Sequence, residues 1–149
     1  MDRPLPVLPP HPTLYLADAG ALASYLRAQG RRHRVRQDRV VISLGVGEFS
    51  DATLDVFWLD DQVRFNVIAA LDISSADLAQ VALAAERVNE EIGFPVWRVL
   101  PMLSATYTVT LDHEGRLSSR VLEYAIALLR DALVRDQPVF RAQPGVVPP

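Results

Sequence analysis

The chain has 149 residues, half of them hydrophobic, a net charge of −3, a pI near 5.5 and no cysteine. That length supports one core burying roughly 68–70% of the unfolded surface, so a single domain is expected without a covalent staple. The missing cysteines exclude disulfides, thiolate nucleophiles and cysteine-held clusters, and the fifteen basic residues include no lysine, which excludes Schiff-base and phosphate-loop lysine chemistry.

Proline marks both ends. Pro4, Pro6, Pro9, Pro10 and Pro12 precede the first helical pattern, and Pro144, Pro148 and Pro149 close the chain. Residues 1–17 are read as an extended arm, 18–141 as the α+β domain and 142–149 as a tail, both ends partly mobile. The start, Met1 to Pro6, carries no apolar run of signal-peptide length, and no 18 uncharged apolar residues follow one another, so a cytoplasmic protein with no membrane partner is expected.

A helix is predicted over Ala19–Gln29, capped by Asp18 and stopped at Gly30, with Leu22 and Leu26 on its apolar stripe. Arginines crowd the following stretch. Three strands are then predicted: Val40–Val46, Thr53–Leu59 and Val63–Ala69, the last two joined by a two-residue turn at Asp60-Asp61. In the third, Val63, Phe65, Val67 and Ala69 share a face opposite Arg64 and Asn66. Ser74 or Ser75 is expected to cap a long amphipathic helix carrying Asp77 in its first turn and Leu78, Val81, Ala85, Val88 and Ile92 on one stripe, ended by Gly93. Val96–Leu100 and Ala105–Leu111 complete the strands. The second of these alternates Ala105, Tyr107, Val109 and Leu111 with Thr106, Thr108 and Thr110. After a turn at 112–115, Ser118 or Ser119 caps a last helix that Pro138 ends.

Catalytic chemistry finds no foothold in this order. His11, His33 and His113 lie in a proline tail, an arginine run and a turn, with no ligand spacing among them. Asp60-Asp61 and Glu90-Glu91 are neighbours in sequence and do not converge on one reacting atom. Gly45-Val46-Gly47 lacks the third glycine and following helix of a nucleotide fingerprint, and no serine sits in a Gly-x-Ser-x-Gly elbow. No catalytic, metal or cofactor residue is therefore assigned, and an enzyme requires an unfamiliar site, for instance a pocket where Asp55, Arg64 and His33 converge.

Two features point to binding instead. Between Arg27 and Arg39 six arginines fall within thirteen residues, and Arg31, Arg32, Arg34 and Arg36 form a candidate patch for an acidic protein or, as an alternative, for nucleic acid. The acidic pI and the lack of aromatic residues within the run count against nucleic acid. Strand Thr53–Leu59 is apolar on both faces, with Leu54, Val56 and Trp58 on one and Phe57 and Leu59 on the other. Phe57, Leu59, Ile68, Trp97 and Val99 are the candidate partner or dimer surface, because several such side chains left in water favour association.

The order helix, three strands, helix, two strands, helix resembles that of the YbjN-like bacterial family, itself similar in fold to the type III secretion chaperones. The resemblance rests on Asp72-Ile73-Ser74 before the second helix, Val88-Asn89-Glu90 ahead of the glycine turn, Gly93-Phe94-Pro95-Val96-Trp97, the Ala105–Leu111 strand and the closing Pro138-Val139-Phe140. It covers about Ala19 to Phe140 and implies a mainly antiparallel sheet flanked by helices. It further implies a non-enzymatic, homodimeric protein that binds a protein client in stress response or regulation. The arginine run and the proline-rich arms are departures from that family.

Overall fold

Alternating side chains and capped helix ends set most of the elements, and their hydrophobic faces decide how these stack. The computed structural model describes residues 12–45, 52–99 and 102–148. In chain order the elements are β1 (Tyr15–Leu16), α1 (Ala19–Ala28), β2 (His33–Val35), β3 (Val40–Ser43), β4 (Thr53–Trp58), β5 (Gln62–Ile68), α2 (Leu78–Ile92), β6 (Val96–Arg98), β7 (Ser104–Thr110), β8 (Leu117–Ser118) and α3 (Ser119–Arg141). The fold is α+β. Its antiparallel six-stranded sheet has the order β2-β3-β4-β5-β7-β6, and β1 pairs with β8 in a separate short ribbon.

The ends of the first helix follow the sequence closely: Asp18 accepts from the Ala21 amide at the N-terminus, and Gly30 takes the left-handed conformation just beyond the C-terminus. The β4–β5 hairpin closes around Asp60-Asp61, with the Leu59 amide donating to the Gln62 carbonyl at 2.8 Å. In β5, Val63, Phe65 and Val67 are fully buried while Arg64 is exposed.

One hydrophobic cluster joins this sheet face to all three helices. It takes Val40, Ile42, Leu54, Val56, Val63, Phe65, Val67 and Ala105 from the strands, Leu22 and Leu26 from α1, Val81 and Val88 from α2, and Leu122, Leu129 and Phe140 from α3. The helices thus form one layer on one side of the sheet.

Several expectations are corrected. Part of the arginine run is a strand: His33–Val35 pairs with Val40–Ile42, so the main sheet gains a member at its edge. Asp77, rather than Ser74 or Ser75, caps α2, its carboxylate accepting from the Ala79 amide, and Leu78 at the first helical position turns to solvent. Pro138 does not end α3, which runs on to Arg141. The last turn persists because Gln137 and Phe140 are fully buried and the Phe140 ring packs on Trp97 at 4.8 Å, which offsets the hydrogen bond that proline removes.

The expected arm and tail also contribute to the domain. The Leu14 amide donates to the buried Ser119 hydroxyl, Leu16 enters the core, and Val147 exchanges backbone hydrogen bonds with Asp72 at 2.8 and 3.1 Å. The proline segment through His11, the Val46 end of the first predicted strand, Leu100, Pro101 and Pro149 lie outside the described residues.

At the far edge of the sheet, Asn89 of α2 clamps β6: its amide nitrogen donates to the Trp97 carbonyl at 2.9 Å and its oxygen accepts from the Trp97 amide at 2.7 Å.

Candidate functional site

Because the helices occupy one side, the opposite face of the sheet has no helix packed on it among the described residues. The strand register fixes what it displays. One row crosses all six strands as Arg34, Val41, Asp55, Asn66, Thr106 and Val96, of which Val41 is buried and Asp55 half-buried. On one side of it lies the row Phe57, Arg64 and Thr108, and on the other the row Ile68, Ser104 and Arg98.

A concavity of about 280 Å³ opens on this face, lined by Arg64, Asn66, Ile68, Arg98, Met102, Ser104, Thr106 and Thr108. Asn66 and Thr106 are bound to each other at its centre, the Thr106 hydroxyl donating to the Asn66 Oδ1 at 2.8 Å. Ile68 is 44% and Met102 54% exposed, so aliphatic surface stands open to water beside the polar groups. Among the described residues Arg64 and Arg98 form no ion pair, and their guanidinium groups are available to an external anion.

Charges at the other end of the face are partly matched. Arg39 lies 3.8 Å from Asp55 and stacks over the Phe57 ring at 5.6 Å from its centroid. Burial pushes the Asp55 carboxyl above its usual range, and the attraction of Arg39 only partly opposes that rise.

The sequence-predicted surface divides here. Phe57 and Ile68 belong to the uncovered face, and Leu59 stands exposed at the end of the β4–β5 hairpin. Trp97 is removed from it: at 2% exposure it lies in the core, since period two turns it inward between Val96 and Arg98. Val99 is likewise partly buried against the core. Of the arginine patch, Arg31 is drawn away to a 2.7 Å ion pair with Glu123 of α3, while Arg32, Arg34 and Arg36 are exposed. Arg34 lies on the uncovered face, and Arg32 and Arg36 continue its alternation through ladder bonds to Ser43 and Arg39.

Asp55, Arg64 and His33 do not converge. Arg64 stands opposite Phe57 rather than beside Asp55, while His33 pairs with Ile42, whose side chain points to the core side, and its Nδ1 meets the Arg31 carbonyl at 2.9 Å. Among the described residues no group of three or more histidine and carboxylate side chains is placed to hold a metal ion, and no helix is long and apolar enough to cross a membrane.

The sequence reasoning missed Arg98, Met102 and the hydroxyl row Ser104, Thr106 and Thr108 as members of one surface with Arg64. Their signal was present in the alternation of β7, whose threonines had to face away from the core. The chain matches no family model, no curated protein and no solved structure.

Proposed function

We propose that this chain is a non-enzymatic adaptor or chaperone-like module that holds a protein client against the uncovered face of its sheet. In this reading it acts as a cytoplasmic homodimer in stress response or regulation, as the resemblance to the YbjN-like family and the chaperone-like fold of that family imply. The observation that carries the reading is the exposure of Ile68, Val96 and Met102 on a sheet face shared with Arg64 and Arg98. Aliphatic surface rimmed by unpaired charge is the chemistry of a protein contact. A nucleic-acid reading draws less support, because Phe57 is the aromatic side chain that the described strands present on this face and Arg39 already covers its ring.

The test replaces Ile68 and Met102 by aspartate, separately and together. Both side chains are exposed, so the fold is expected to persist, with an unchanged circular dichroism spectrum and a stability change within about 0.5 kcal/mol for each. In-cell crosslinking and light scattering of the folded variants are expected to show loss of client capture, of self-association, or of both. Folded variants that keep the same crosslinked partners and the same mass in solution would overturn the reading.

A further inference from the structure

We infer that the concavity between Arg64 and Arg98 receives an extended acidic segment of a protein client, its carboxylates on the two arginines and an aliphatic side chain of the segment between them. The inference rests on the client-binding reading above and adds the chemistry of what is bound.

Strand geometry sets the spacing. Arg64 on β5 and Arg98 on β6 are separated by two strand intervals and by four residues along the register, which places their Cα atoms about 16 Å apart. An extended chain advances about 13 Å over four residues, and alternate residues face the same way. A pattern of acid-x-aliphatic-x-acid therefore turns all three of its named side chains toward the sheet. The length of the two arginine side chains covers the remaining difference. Between them lies Thr106, with Ile68 and Met102 as the neighbouring apolar surface.

Charge supports the same occupant. The chain as a whole carries −3, yet the two arginines at this concavity have no carboxylate partner among the described residues. At physiological ionic strength screening acts over about 8 Å, so an anion lying here responds to these two groups more than to distant acids. Guanidinium offers carboxylate a paired set of donors, and such charge-assisted bonds are the strong ones. A volume of about 280 Å³ accommodates one aliphatic side chain with its flanking groups.

The experiment measures fluorescence anisotropy of the full chain with three labelled nine-residue peptides built on Glu-Gly-Leu-Gly-Glu, Gln-Gly-Leu-Gly-Gln and Lys-Gly-Leu-Gly-Lys, and with a thymidine oligonucleotide of equal length. The glutamate peptide is expected to bind at least about tenfold more tightly than the other three, with added salt weakening it. Arg64→Ala and Arg98→Ala, both at exposed positions, are each expected to weaken it about tenfold while the fold is kept. Ile68→Asp is expected to abolish it. Equal or tighter binding of the glutamine or lysine peptide, lost in Ile68→Asp, overturns the acidic-segment inference and leaves the client reading standing. Tighter binding of the oligonucleotide, or binding of no peptide, also overturns the inference, and the crosslinking experiment above then decides the client reading alone.

Discussion

Trp97 and Asp136 join the edge of the sheet to the last helix: the indole Nε1–H donates to the Asp136 Oδ2 at 3.0 Å, and both side chains are buried. Phe140, one turn further along α3, packs against the same indole. A tryptophan that reads in sequence as a sticky surface residue is thereby an internal tie between β6 and α3. Trp97→Phe, which keeps a ring but removes the donor, is expected to destabilise by about 1–3 kcal/mol, and Trp97→Ala by about 3–5 kcal/mol through the cavity it leaves. Urea unfolding checks both, and a phenylalanine variant as stable as the parent would refute the role of the hydrogen bond.

Tyr25 should resist ionisation. Burial is the main cause, reinforced by the hydrogen bond from its hydroxyl to Glu123 at 2.8 Å and by that residue's negative charge, and together they push its pKa from 10.0 up to about 12. The native state therefore holds this proton more tightly than the unfolded chain. The associated stability is complete below pH 10 and is lost as pH rises from about 10 through about 12. Titrating phenolate absorbance is expected to show a component ionising in that upper range that disappears in Tyr25→Phe. In Glu123→Gln its pKa should fall, though burial keeps it above the ordinary value.

Pro138 offers a stabilising substitution. It is exposed within α3 and supplies no amide to the Val134 carbonyl one turn earlier. Pro138→Ala restores that bond and is expected to raise stability by about 1–3 kcal/mol, reduced somewhat by the freer unfolded chain. Thermal unfolding measures the change, and an unchanged or lowered midpoint would show that Pro138 is needed for the packing of Phe140.

Gly145 and Gly115 share a left-handed backbone, with φ of +80° and +73°, but differ in their surroundings. A Cβ at Gly145 would stand 2.6 Å from the Ser75 carbonyl oxygen and 2.9 Å from the Ala76 Cα, whereas at Gly115 it meets nothing within 4 Å. Gly115→Ala is expected to cost about 1–2 kcal/mol of backbone strain alone. Gly145→Ala should cost more and release Val147 from Asp72. Faster hydrogen exchange at the Asp72 and Val147 amides in that variant, with no change there in Gly115→Ala, is the distinguishing result.

Legibility in the sequence followed the range of the forces involved. Asp18, Gly30, Asp60-Asp61 and the alternation of β5 and β7 act over a few residues, and the chain displays them openly. The β1–β8 ribbon pairs Tyr15 with Ser118, a contact that no local pattern encodes. The β2 strand was hidden because its histidine and arginine, with the arginines flanking it, imitate a solvated linker, and only the pairing partner Val40–Ile42 makes it a strand. Burial of Trp97 was recoverable from its place between Val96 and Arg98, but hydrophobicity alone favoured exposing it at an interface. The candidate surface was half visible, through Phe57 and Ile68, since the other half is assembled by register across β5, β7 and β6.

The Asn89 clamp bears on whether the sheet can be extended at its edge. Both backbone groups that Trp97 would offer to an arriving strand are already taken by that one side chain, so the outer rim of β6 has a plugged ladder position. The opposite rim is the three-residue strand His33-Arg34-Val35, whose shortness and charged Arg34 discourage a like neighbour. Lateral growth into a continuous ribbon is thereby opposed at both margins.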